Sequence, residues 1–370
     1  MNARIHQRGL SLIELMVAML IGVVLISGAA KVYVDSKAAY NANDSTSRLQ
    51  ENARYAMSVI EPDIRMANYW GLLKGAAVIG NQGVQTTIAA LSPVATSAAM
   101  NICGRNFATD VTTTLQGDNN QYVISTASKQ AGCDALLDLS TAVAWNTSAV
   151  ATADTLTVRR ASVFDAAAPA AGQQLQVCSS RIAGSLINDG TCPNAVFGQP
   201  DNLVAQRRQN LIVDTFYVDR NSQQQNGLPS LRRKTLTSVG GVMQFRDQEV
   251  MAGVEDMQVQ FGIDTLGNTG VAQRYVNPDG VPLGAQIVSV RIWLMVRAEA
   301  PENNFYDSRI YQYGDRLQAT GVTGNLNTVA DAGKAYQPSL SADTTYATGP
   351  ARVRRLLISR TIQVRNAMGT

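Results

Sequence analysis

Gly9-Leu10-Ser11-Leu12-Ile13-Glu14-Leu15-Met16-Val17-Ala18 begins an apolar run that extends to Ala30, carries one charge, Glu14, and ends at Lys31. From Leu10 to Ala30 it is 21 residues long. At ~1.5 Å per residue a helix of that length measures about 30 Å, enough to cross a bilayer. Arg4, His6 and Arg8 precede it, and positive residues on that side keep the amino end cytoplasmic while the rest of the chain goes outward. The plain alternative is a cleaved secretory signal, since Ser27-Gly28-Ala29-Ala30 offers small residues at a suitable place. Glu14 counts against it: an ionised carboxylate at bilayer depth costs roughly 2.5–3.5 kcal/mol on insertion scales. Unless Glu14 only reaches for interfacial water, it has a task there.

The helical pattern continues past Lys31. Leu49, Ala53, Ala56, Ile60, Ile64 and Ala67 recur at three- and four-residue steps, one face of a helix. Arg48, Glu51, Arg54 and Asp63 fall mostly on the other side. Pro62 is expected to kink this helix or break its hydrogen-bond ladder. Helical from 10 to 69, the segment spans about 90 Å. Gly22 and Gly28 inside the apolar part mark either a place where the helix loosens or close packing between helices.

Read as a unit, Gly9-Leu10-Ser11-Leu12-Ile13-Glu14-Leu15 resembles the processing motif of type IV pilins and pseudopilins. In that family a prepilin peptidase cuts after the glycine and methylates the new amino terminus. The resemblance implies a leader 1–9, a cut between Gly9 and Leu10, N-methylation of Leu10, and a filament-assembly role for Glu14, whose carboxylate the new α-amino group would neutralise. Leu10 and Ser11 stand where major pilins usually show Phe and Thr, which points to a minor subunit. Leu49-Gln50-Glu51-Asn52-Ala53-Arg54-Tyr55-Ala56 and Asp63-Ile64-Arg65-Met66-Ala67-Asn68-Tyr69-Trp70-Gly71 resemble the PilW-type minor pilins. That family often shows Gly before the aromatic pair and Cys after the Trp-Gly, where this chain has Asn68 and Leu72. The segments Gly253–Asp264, Val290–Arg297 and Arg354–Asn366 are similar to that family's carboxy-terminal blocks.

Residues 74–205 are rich in Ala, Thr, Ser and Gly, with short strand-like runs at Gln121–Thr126 and Thr155–Arg159. They read as a variable insertion containing all four cysteines, Cys103, Cys133, Cys178 and Cys192. An even count in an exported chain favours two disulfides; three connectivities exist, and sequence neighbours, Cys103–Cys133 and Cys178–Cys192, are the expected pairs. Strand patterns follow. Leu211–Val218 is β-branched and aromatic. Met257, Val259, Phe261 and Ile263 alternate with polar residues as in a half-buried strand. Val288 to Val296 repeats the pattern, as does Leu356 to Val364, interrupted by Arg360. Asn277-Pro278-Asp279-Gly280 is a turn, and residues 299–350 read as a surface excursion.

At 370 residues, 45% of them hydrophobic, the chain can build a substantial core. A net charge of +3 gives no phosphate-binding surface, so direct nucleic-acid contact is not expected. The single histidine, His6, lies in the leader, which leaves no His-dependent triad or metal site. Glu255-Asp256 reads as a solvated strand entry rather than an acid/base pair. Asp264-Thr265-Leu266-Gly267-Asn268-Thr269-Gly270 lacks the alternating carboxylates of a calcium loop and reads as a bare turn. Arg232-Arg233-Lys234 and Arg352, Arg354, Arg355 read as solvated strand edges.

The expected fold is α+β. A long amino-terminal helix has a transmembrane part (10–33) and an amphipathic part (34–70), and packs on an antiparallel β-sheet head within 71–370. The resemblance implies a non-enzymatic minor pilin without cofactor or metal, held in the inner membrane with its head in the periplasm, then carried to the extracellular pilus tip. There it primes or caps assembly and supports adhesion, twitching motility or DNA uptake. Implied partners are the prepilin peptidase, other minor pilins, the major pilin and a tip-associated adhesin. A minor pseudopilin of a type II secretion system and a signal-anchored extracytoplasmic binding protein are the competing readings.

Overall fold

A computed structural model describes residues 11–80, 108–120, 150–193 and 206–367, apart from 151, 169–173, 189, 226, 240–241, 268, 303–304, 318–334 and 337–351. Cys103, Cys133, the Gly9–Leu10 bond and the run Gln121–Thr126 lie outside the described residues. Contacts divide the chain into one unit ending at Arg48 and a second beginning at Leu49.

Helix α1 (Leu12–Met66) supplies the whole of the first unit's described structure. Its apolar side chains from Leu12 to Val34 stand open in the single chain, and a methyl group on Gly22 or Gly28 would meet nothing within 4 Å. Among the described residues it is the one helix long and apolar enough to cross a membrane.

In the second unit, α1 buries Leu49, Ala53, Ala56, Met57, Ile60 and Ile64, the face given by the three- and four-residue steps. Asp63 is a correction to the polar side: only 5% exposed, it accepts from Arg160 Nη2 at 2.7 Å. The helix runs through Pro62 to Met66 and stops at Asn68, whose φ of 62° is left-handed. Glycine adopts that conformation most easily, and asparagine tolerates it among the other residues.

Eight strands form the first sheet: β1 (Ile79–Gly80), β2 (Leu115–Gln116), β3 (Leu156–Asp165), β4 (Gln176–Ser179), β5 (Gly184–Ile187), β6 (Arg207–Asp219), β7 (Ser230–Val239) and β8 (Val242–Ala252). Their order is β1-β5-β4-β6-β3-β2, with β7 on β6 and β8 on β7. Along one side of β6 lies β3; along the other, β4 takes Arg207–Asn210 and β7 takes Asp214–Asp219. Thus 74–205, read as an insertion, supplies strands on both flanks of β6.

The second sheet, β10-β9-β11-β12, is antiparallel: β9 (Val254–Asp264), β10 (Arg274–Val276), β11 (Gln286–Arg297) and β12 (Arg355–Gln363). Val290, Ile292 and Leu294 pair with Phe261, Val259 and Met257 on one side and with Ile362, Arg360 and Ile358 on the other. This face joins Leu49–Ala67 of α1 in one core. Arg360 does not interrupt β12, because its guanidinium reaches across to Glu61 of α1.

The outer face of the second sheet departs from expectation. Strand β9 is buried on both faces almost throughout, since the described parts of 299–350 fold back over one end of it. Tyr311, Tyr313, Arg316 and Tyr336 are buried there, so that excursion is not confined to the surface. Glu255 and Asp256, read as solvated, are 2% and 0% exposed. Arg355 Nε and Nη2 reach Glu255 at 2.7 and 3.0 Å, and Arg316 Nε reaches Asp256 at 2.6 Å. The basic clusters change likewise. Arg355 and Lys234 are buried, Arg232 pairs with Asp247, and Arg354 pairs with Glu302 at 2.8 Å. Burial of Glu255, Asp256, Arg316 and Arg355 is tolerated because each has a close ionic partner.

Candidate functional site: the amino-terminal assembly segment

Three side-chain hydrogen bonds fix the start of α1. The Glu14 N–H donates to Ser11 Oγ at 3.3 Å. In return the Ser11 N–H and hydroxyl donate to Glu14 Oε2 at 2.9 and 3.0 Å. This is a reciprocal capping box: the first N–H groups of a helix lack internal acceptors, and Ser with Glu three residues later supplies them. The sequence carried this signal as Ser11-x-x-Glu14, which the reading of Glu14 as an assembly residue alone overlooked. Among the described residues Oε1 of Glu14 accepts no bond, so one carboxylate oxygen remains for another chain. Around it Leu12, Ile13, Leu15 and Met16 are exposed, an apolar setting for a single charge. Among the described residues no group of His, Cys, Asp and Glu gathers as a metal site.

The second candidate region is the junction after α1. Trp70 is fully buried, and its Nε1 donates to Asn68 Oδ1 at 2.8 Å. Asn68 Nδ2 donates to the Asn366 carbonyl at 2.7 Å, 298 residues away. Gly71 has φ +70°, and a Cβ there would lie 2.2 Å from Gln209 Oε1 and 2.4 Å from Ser179 Oγ. The Asn-Tyr-Trp-Gly stretch therefore turns the chain out of the helix, plugs the first sheet's core with Trp70, and ties that point to the carboxy-terminal segment.

Cys178 in β4 is bonded to Cys192, with Cα atoms 5.8 Å apart. Asp264 closes its turn by accepting from the N–H groups of Leu266, Gly267, Thr269 and Gly270 at 2.7–3.0 Å. Burial opposes its ionisation, yet these bonds and the Thr269 hydroxyl hold its pKa below the ordinary aspartate value.

Two family descriptions match this chain. Prokaryotic N-terminal methylation motif covers residues 4–30, and Type IV Pilus-assembly protein W covers residues 215–366. Together they support a PilW-type type IV pilin. The first match holds the basic leader, Gly9, Glu14 and the apolar part of α1. The second holds only the end of β6, from Thr215 to Asp219, and everything from β7 through β12, including the buried charges at Glu255, Asp256, Arg316 and Arg355. Residues 31–214 fall between the matches, so the junction at Trp70 and strands β1–β5 belong to neither. No curated protein and no solved structure matches significantly. This pilin is a structural component related to type IV pili, of the minor-pilin type, and its methylation motif implies processing by prepilin peptidase and association with other pilus components.

Proposed function

We propose that this pilin primes or caps type IV pilus assembly near the filament tip, supporting adhesion, twitching motility or DNA uptake, and that it has no catalytic activity. The observation that carries the reading is the joining, in one chain, of the methylation motif to a PilW-type carboxy-terminal half. The precursor sits in the inner membrane with its head in the periplasm. The peptidase cuts between Gly9 and Leu10 and methylates Leu10. Glu14 then docks α1 among neighbouring pilin helices, its free Oε1 accepting from an α-amino group. A carboxylate in an apolar bundle is stable only with such a counter-charge. Disulfides Cys178–Cys192 and Cys103–Cys133 staple the head, and neighbouring minor pilins, the major pilin and a tip-associated adhesin are its partners. The W-family match is to a pilus-assembly protein, which supports a pilus over a type II secretion apparatus.

The test is the intact mass and amino-terminal sequence of protein extracted from cells carrying the peptidase. The expected chain begins at Leu10 with one added methyl group; a chain starting near Ala30, or an uncut Met1, would overturn the proposal. Glu14→Ala should still be cleaved but should reduce surface piliation, and normal piliation would remove the role given to Glu14.

A further inference from the structure

Beside β9 the structure holds a buried polar cluster that nothing in filament assembly uses. Asp256 accepts from Arg316 through Nε at 2.6 Å and Nη2 at 3.1 Å, and from the Tyr313 hydroxyl at 2.5 Å. Asp154, 1% exposed, accepts only backbone donors, the N–H of Asn120 at 2.9 Å and of Val259 at 2.7 Å. Asp315 accepts from Asn120 Nδ2 at 2.5 Å. Among the described residues these three carboxyl groups thus lie around one guanidinium, that of Arg316.

Four buried atoms in this cluster have no hydrogen-bond partner among the described residues: Asn120 Oδ1, Gln258 Oε1, Asp315 Oδ1 and Arg316 Nη1. Three are acceptor oxygens, on side chains of which Asn120 and Gln258 are 3% and 1% exposed. Their orientations are fixed by their donors. Gln258 Nε2 is committed to the Thr152 carbonyl at 3.1 Å, and Asn120 Nδ2 to Asp315, so both amide oxygens are left over. Gly314, at φ +61°, brings the Asp315 segment against Gln258; a Cβ there would lie 2.8 Å from Gln258 Cβ and 3.6 Å from Oε1. Buried acceptors without donors are costly and rare. One water donates only two hydrogen bonds and brings no positive charge. A hard cation satisfies both needs.

We propose that Asn120 Oδ1, Gln258 Oε1 and Asp315 Oδ1 bind a calcium ion, with the carboxylates of Asp154 and Asp256 as its surrounding charge. Amide and carboxylate oxygens without His or Cys are the donor set of calcium, which accepts six to eight oxygens in flexible geometry. The set has one carboxylate and two carbonyls, consistent with no trio of acidic or His/Cys ligands gathering among the described residues. Waters complete the sphere, and one of them is the acceptor for Arg316 Nη1. The Asp264 turn is no competitor, because its own N–H groups occupy that carboxylate.

The test uses the full chain in detergent, stripped with EGTA and titrated with calcium by calorimetry and equilibrium dialysis, with thermal unfolding in parallel. The expected result is one ion per chain and, at about a hundredfold excess over Kd, a rise in Tm of roughly 5 °C. Asp315→Asn and Asn120→Ala should weaken binding at least about tenfold, while Asp264→Asn should bind as the native chain does. No binding up to millimolar calcium overturns the proposal, as does binding that both variants at 120 and 315 leave unchanged. Should Asp315→Asn fail to fold, the native titration and Asn120→Ala still decide it. None of these results bears on cleavage at Gly9, so failure here leaves the pilin reading intact.

Discussion

Replacing Glu255 with Gln keeps the side chain's shape and deletes its charge. Glu255 meets Arg355 through two bonds, lies 3.5 Å from Arg297 Nη1, and accepts from the Tyr336 hydroxyl at 3.2 Å. The Arg355 side chain is 0% exposed and that of Arg297 7%. With the carboxylate gone, the Asp307 carboxylate, 3.8 Å away, is the nearest counter-charge to Arg355 among the described residues. Breaking a buried pair from one side costs about 3–5 kcal/mol, because the stranded charge stays desolvated. At ~2 °C per kcal/mol for a large domain, Tm should fall by roughly 6–10 °C. The assay is thermal unfolding in detergent at pH 7, repeated toward acid. Burial opposes ionisation of Glu255, but the charges of Arg355 and Arg297 and the bonds from Arg355 and Tyr336 hold its pKa below the ordinary value. A lowered folded pKa stabilises fully above the unfolded value of about 4.3 and is lost as pH falls through the folded one. The gap between Glu255→Gln and the native chain should therefore narrow below about pH 4. A shift at pH 7 under about 2 °C, or a gap that widens on acidification, refutes the placement of this pair in the core.

Three further outcomes are expected. Burial first, then the charge of Asp63, pushes Asp214 up to about 6, so the native chain loses stability as pH rises from the unfolded value near 3.9 through about 6; Asp214→Asn should raise Tm at pH 7.5 and change it little at pH 4. Gly71→Ala places a methyl group in a left-handed backbone against Gln209 and Ser179, and denaturant unfolding should show a loss of about 1–3 kcal/mol. Cys178→Ser with Cys192→Ser opens a bond between residues 14 apart in sequence, and denaturant unfolding should show a loss of about 3 kcal/mol, which reduction of the native protein should at least match.

The periodic parts of the sequence were legible because each depends only on near neighbours. Leu49, Ala53, Ala56, Ile60 and Ile64 mark the buried face of α1 by spacing alone, and Met257 to Ile263 mark the inner face of β9. The charged residues were misread for the converse reason. Nothing near Glu255 or Asp256 announces Arg355, 100 residues on, or Arg316, 60 residues on, so both carboxylates looked solvent-facing. Asp63 failed the same way, its partner Arg160 lying 97 residues away. Tyr311, Tyr313 and Tyr336 sit in a stretch whose polarity suggested surface, yet their hydroxyls bond to Asp307, Asp256 and Glu255. A tyrosine can be buried when its hydroxyl has such a partner. At the amino end, Glu14 was legible as an anomaly in an apolar run, whereas its bond to Ser11 required reading it as an ordinary helix start.

Helix α1 and strand β12 stand at opposite ends of the second unit's sequence, yet they are bound to each other. Glu61 holds Arg360, and the Arg365 N–H donates to the Arg65 carbonyl at 3.3 Å. A ribosome delivers the helix first and this strand last, so the bond between Glu61 and Arg360 waits through almost the whole of synthesis. Contacts this remote in sequence close late, after the long intervening loop has been gathered in. A chain halted before Arg355 would leave Glu61 without Arg360 and β11 as an open edge, ready to pair with other chains. Completion of the last strand thus distinguishes a finished subunit from a fragment before either can enter a filament.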